Sequence, residues 1–186
     1  VSAEPETELE EAAPAPGFAP WVLLASAISG LTGMMFEIGW TRVLAIFLSS
    51  TTYAFTLMLA TFLFGISLGS YLFEREHRHW ALGPRLLGEW LLGLALAATL
   101  CLALSTRLAE LTRWLVQASG GSPVAILGTQ FLVSFLAMML PTTLFGLIFP
   151  LTVVLYCGAD RRRGTRAGTL YAVNTVGAVV GVFLTG

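Results

Sequence analysis

Two opposite charges stand inside the first long apolar stretch of the chain, Glu37 and Arg42. A carboxylate in such a place could carry a proton or couple to a substrate. A guanidinium could hold an anion or balance the carboxylate. Near the centre of a bilayer a charge costs on the order of 3 kcal/mol on insertion scales, so each must face protein or water. Five residues apart, the two lie well round a helix from one another, and the same-face pair of four-residue spacing is not open to them. Partners on other helices, or a break near Gly39-Trp40, are expected. The structural alternative is an anchored ion pair or a charge at headgroup level, with Trp40 in the aromatic belt.

Asn174 is the other chemically distinctive group, one turn into an apolar run, with Tyr171 before it and Gly177 after it. An amide in lipid needs a partner, and helix-to-helix hydrogen bonds of this kind are worth about 0.6 kcal/mol on average. Asn174 therefore reads as a packing clamp or, alternatively, as part of a polar path. His77 and His79 are two residues apart with no cysteine or carboxylate cluster beside them, which is too little for a metal framework. Cys101 and Cys157 sit in or beside apolar runs and read as small packing residues. There is no nucleophile–base pair and no phosphate-cradling glycine loop, so no catalytic residue, cofactor or metal site is assigned.

The elements that must position these groups are membrane helices. Charged residues make up 11% of the chain and apolar residues 56%, whereas soluble domains carry about 25% charged residues. The predicted fold class is all-α, a polytopic transmembrane helical protein of about five spans, near 21–48, 53–73, 86–104, 124–157 and 169–186. Residues 1–17 carry Glu4, Glu6, Glu8, Glu10 and Glu11 among prolines and alanines, and read as a disordered acidic tail before a transmembrane domain at 18–186. The lipid bilayer is the expected surrounding, and no basic stripe with interleaved aromatics suggests nucleic acid.

The fourth region is uncharged from Val124 to Cys157. As one straight helix it would be roughly 50 Å long, against a bilayer core of about 30 Å. Either Pro141 and Pro150 bend one long helix, or the chain turns back at Pro141-Thr142-Thr143. Charge favours one pass. It puts Arg75, Arg78, Arg85, Arg161, Arg162, Arg163 and Arg166 on one face, opposite Arg107 and Arg113. The positive-inside rule then makes that face, and the N-terminus, cytoplasmic. On the other side, residues 105–122 are read either as a loop holding a short interfacial helix or as a simple extension of the third span.

Small residues recur four apart: Ser26 and Gly30, Ser29 and Gly33, Gly65 and Gly69, Gly177 and Gly181. Glycine lets a neighbouring helix backbone come close, which raises dispersion contact where lipid supplies no hydrophobic drive. These positions are expected to be packing faces, with a mobile transporter-like interface as the alternative.

Several stretches resemble a known family. They are Met35-Phe36-Glu37-Ile38-Gly39-Trp40-Thr41-Arg42-Val43-Leu44-Ala45, Ser50-Thr51-Thr52-Tyr53-Ala54-Phe55, and Phe62-Leu63-Phe64-Gly65-Ile66-Ser67-Leu68-Gly69-Ser70. Leu140 to Leu151 and Gly168-Thr169-Leu170-Tyr171-Ala172-Val173-Asn174-Thr175-Val176-Gly177-Ala178 belong with them. Together they look like the N-terminal membrane half of bacterial proteins that fuse a facilitator-like helical domain to a spermidine synthase-like domain. The resemblance implies an incomplete, major-facilitator-like N-terminal half in a bacterial inner membrane, with an aminopropyltransferase-like domain following it. None of that domain's cofactor glycines or acidic residues is in this chain, so no catalytic role carries over. The function expected is that of a non-catalytic anchor or assembly module. A structural subunit of a membrane complex and half of a facilitator-type transporter are the alternatives. Protein partners in the membrane, or a further C-terminal domain, are expected.

Overall fold

The computed structural model describes residues 19–48, 51–118, 123–158 and 163–186. The acidic tail, Asp160, Arg161 and Arg162 lie outside the described residues. Five helices follow in order: α1 Ala19–Leu48, α2 Thr51–Glu76, α3 Pro84–Ala118, α4 Pro123–Cys157 and α5 Arg163–Thr185, with a 3-10 turn at His77–His79 after α2. No strand occurs among the described residues, and each helix contains a stretch long and apolar enough to cross a membrane. The protein is an all-α polytopic helical protein.

Two helices open on proline, Pro84 and Pro123, whose fixed φ and missing N–H suit the first turn. At the end of α4, Gly158 adopts φ 51° and its N–H donates to the Val154 carbonyl at 3.1 Å. That left-handed stop is cheap only for glycine. Helix α4 is continuous through Pro141 and Pro150, so the chain does not turn back there and crosses once. Residues 105–118 continue α3, which overturns the reading of 105–122 as a loop with its own interfacial helix. No glycine or proline interrupts the chain between Gly93 and Gly120, and nothing local stops the helix from propagating. The helix carries an Arg107–Glu110 pair at 3.4 Å, exposed on its surface. Helix α5 likewise starts at Arg163, earlier than its apolar run alone indicates.

The helices pair in two intimate sets, α1 with α5 and α2 with α4, while α3 packs mainly on α4. Contacts between α1 and α5 keep one register along the helices. Ser26 donates to the Leu170 carbonyl and Arg42 to the Gly186 carbonyl, each 144 residues away. Constant register means that the two run parallel, as one pass through α4 requires. Two buried side-chain clusters fill the rest. One joins Trp40, Leu44, Leu57, Met58, Cys101 and Met138. The other, toward the opposite end of the bundle, joins Phe73, Leu87, Leu94, Phe145, Ile148 and Leu151. Phe73 also anchors an aromatic cap, with the Trp80 and Trp90 rings edge-on at 5.1 Å.

Candidate functional site

Where α1 meets α5 and α2 meets α4, backbone lies against backbone. A Cβ on Gly30 would meet the Asn174 main-chain oxygen, one on Gly177 the Ala27 carbonyl, and one on Gly181 the Leu31 carbonyl. On the other side, Gly65 faces Thr142, Gly69 faces Thr143 and Gly146, and Gly146 faces the Ile66 carbonyl. These contacts leave no room for a methyl group, and they bring many dispersion partners into range. Gly33 differs. Its side-chain position faces the Phe145 ring at 3.6 Å, an ordinary contact that borders open space.

Most hydroxyls in the spans are satisfied within their own helices. Thr32, Thr41, Thr61, Thr99, Thr142, Thr143, Thr175 and Thr185 each donate to the carbonyl four residues back, which settles a polar group in lipid without any partner helix. Two other donors do something different. Pro141 cannot donate to the Ala137 carbonyl nor Pro150 to the Gly146 carbonyl, because proline has no N–H. Cys101 Sγ on α3 donates to Ala137 O at 3.2 Å, and Ser70 Oγ on α2 donates to Gly146 O at 3.2 Å. Each carbonyl orphaned by a proline is thus taken by a side chain from a neighbouring helix. Sequence reading missed both locks, although the signal was present: a proline in a membrane helix implies a donor elsewhere for the carbonyl four residues before it.

Between the two helix pairs lies a crevice of about 280 Å³. Its α2–α4 wall is mainly aromatic, with Phe62, Ile66, Phe145 and Phe149 beside Ser70; its α1–α5 wall carries Ser29, Tyr171 and Asn174. Gly30, Gly33, Tyr171 and Asn174, singled out from the sequence, are all brought together here. The Asn174 Oδ1 lies 2.9 Å from where a Gly30 Cβ would stand, so glycine at position 30 leaves the space that the amide occupies.

Glu37 and Arg42 are not brought together, and neither lines the crevice. Glu37 is half-buried, four residues beyond Gly33, and makes no ion pair among the described residues. Arg42 is exposed and donates to the Gly186 carbonyl at 3.2 Å, at the end of the bundle where α1 and α5 finish. His77 stacks on Phe73 and its Nδ1 donates to the Glu74 carbonyl at 2.9 Å, capping α2, while His79 is exposed. No group of His, Cys, Asp or Glu with metal-holding geometry occurs among the described residues. No family model, curated protein or solved structure matches the chain.

Proposed function

We propose that this chain is a non-catalytic integral membrane domain, an anchor or assembly module of a larger spermidine synthase-like membrane protein. The observation that carries this reading is how polarity is settled. Hydroxyls bond within their helices, proline-orphaned carbonyls are locked between helices, and four glycine faces press backbone on backbone. Such a bundle holds its shape and gives a partner fixed surfaces. The acidic side chains support the same reading. Among the described residues Glu74, Glu76 and Glu89 lie at one end, Glu110 at the other, and Glu37 within α1, so these do not converge on one water-accessible site for an amine and a sulfonium nucleotide.

A facilitator-type transporter half is the second reading, favoured by the crevice. One experiment separates the two. The purified chain in liposomes is expected to form no aminopropylated product from putrescine and the aminopropyl donor, and to pass no radiolabelled putrescine across the bilayer. Product above a heat-killed control would contradict the non-catalytic reading. Flux above protein-free liposomes would replace the anchor with the transporter.

Orientation follows from charge. Among the described residues, Arg75, Arg78, Arg85 and Arg166 lie at one end of the bundle and Arg42, Arg107 and Arg113 at the other. Arg163 opens α5 at the first end, and sequence adds Arg161 and Arg162 there. The proposed placement therefore has that end and the N-terminus in the cytoplasm. With Cys101 and Cys157 replaced by serine, single cysteines at Ser2 and Gly164 should resist an impermeant maleimide added outside intact cells. Efficient labelling of either would reverse the topology.

A further inference from the structure

The crevice lies at the middle of the membrane-crossing stretches. Gly33 is central in Pro20–Ile46, Ile66 nearly so in Phe55–His79, Phe145 in Phe131–Cys157 and Asn174 in Gly164–Thr185. At that depth an unused polar group is costly, because lipid offers it no hydrogen bond. The threonines around it meet that cost inside their helices. Two groups on the crevice wall do not. The Ser29 hydroxyl and the Asn174 side-chain amide make no hydrogen bond among the described residues, and both stay accessible at the crevice surface. Both line the crevice together with the Tyr171 side chain. The opposite wall carries three phenylalanines, an isoleucine and Ser70, whose hydroxyl is already committed to the Gly146 carbonyl, and no charged or histidine side chain lines any part of the crevice.

We propose that the crevice binds a small uncharged molecule with a compact, flat apolar body and one edge that both donates and accepts hydrogen bonds. The amide of Asn174 offers a donor and an acceptor side by side, and Ser29 offers a hydroxyl, so a ligand amide or similar edge satisfies both groups. The phenylalanine wall takes the apolar body through ring contacts. Absence of charge in the lining selects against ions and polyamines, whose ammonium groups would be left unpaired at mid-depth. A volume of about 280 Å³ is at the small end of ligand sites and suits a molecule of one or two rings. Lipid headgroups lie at the wrong depth, and an acyl chain would leave the polar wall unmet. The inference is independent of the anchor reading, since a site can bind at mid-membrane with no flux and no product.

The test uses 2-naphthamide, a neutral two-ring amide, with the full chain in phosphatidylcholine nanodiscs. Tritiated probe is measured by equilibrium dialysis against protein-free discs. Saturable binding of one probe per chain is expected, with affinity at least about tenfold weaker in Asn174→Leu, the loss expected from about one hydrogen bond. Gly33→Leu, which puts a side chain into the crevice beside Phe145, should abolish binding. Gly39→Leu, at a position with nothing within 4 Å, should leave it unchanged. Thermal melting identifies any variant that fails to fold. Should Asn174→Leu be one, Ser29→Ala and Gly33→Leu decide the matter. Binding no greater than in empty discs would overturn the proposal. So would saturable binding that survives both Asn174→Leu and Gly33→Leu.

Discussion

Gly146→Leu is expected to leave less than about one-tenth of the wild-type folded protein, read by size-exclusion profile and thermal melting in mild detergent. A Cβ at this position would lie on the Ile66 carbonyl, and Gly69 faces Gly146 from the other helix. Both obstacles are backbone, so no side-chain rotamer relieves them. Helices α2 and α4 must separate, and the contacts that Thr142, Thr143 and Ser70 make across the interface go with them. Overpacking one methylene ordinarily costs about 1–3 kcal/mol, and a whole leucine between two backbones exceeds that. Gly177→Leu should behave alike through the Ala27 carbonyl. Gly88→Leu and Gly128→Leu, where nothing lies within 4 Å, should accumulate normally. Equal losses at Gly88 and Gly146 would mean that glycine content, and not close approach, sets stability.

The second large effect concerns the proline locks. Ser70→Ala leaves the Gly146 carbonyl without a donor in a buried, lipid-surrounded place, which costs about 1–3 kcal/mol. In a Pro150→Ala background the restored backbone N–H can take that carbonyl, and Ser70→Ala should then cost about 0.5 kcal/mol or less. The same cycle with Cys101→Ala and Pro141→Ala should show a smaller coupling, because a thiol is a weak donor. Unfolding of all four members of each cycle in detergent mixtures measures the coupling. Additive costs would mean that Ser70 and Cys101 only fill space.

Span number was legible because charge-free runs of membrane length have few other outcomes, and the single pass at Pro141 was legible from arginine placement. Gly30, Gly65, Gly69, Gly177 and Gly181 were legible as close-approach positions from small residues at four-residue spacing on apolar helices, and backbone or side-chain atoms do stand where a Cβ would go at each. Their partners were not, since the spacing on one helix says nothing of which helix faces it. Thus Gly30 meeting Asn174, and Gly146 meeting Ile66, had to come from the structure. The end of α3 was left open between two readings for a physical reason, and the extension of the span is the one found. Leu108, Leu111 and Leu115 with Arg107 and Arg113 give the same amphipathic pattern for a separate surface helix as for a span that runs on past the bilayer. Asn174 was marked for its polarity, but the crevice it borders depends on Phe145 and Phe62 from two other helices, which no local pattern announces. Glu37 and Arg42 drew attention as charges. Arg42 instead donates to the Gly186 carbonyl just past α5, and the two charges do not meet.

The pairing of α1 with α5 and of α2 with α4 underlies the rigid-domain reading, the single pass of α4 and the crevice between the pairs. Cysteine cross-linking in native membranes tests it most directly, in a background with Cys101→Ser and Cys157→Ser. Ser26→Cys with Leu170→Cys joins α1 to α5, where Ser26 now bonds the Leu170 carbonyl. Phe64→Cys with Phe135→Cys joins α2 to α4, where the two rings lie 5.6 Å apart. Both combinations should cross-link within one chain on mild oxidation, while Ser26→Cys with Phe135→Cys should not. Failure of both paired combinations, or equal cross-linking of Ser26→Cys with Phe135→Cys, would contradict the arrangement.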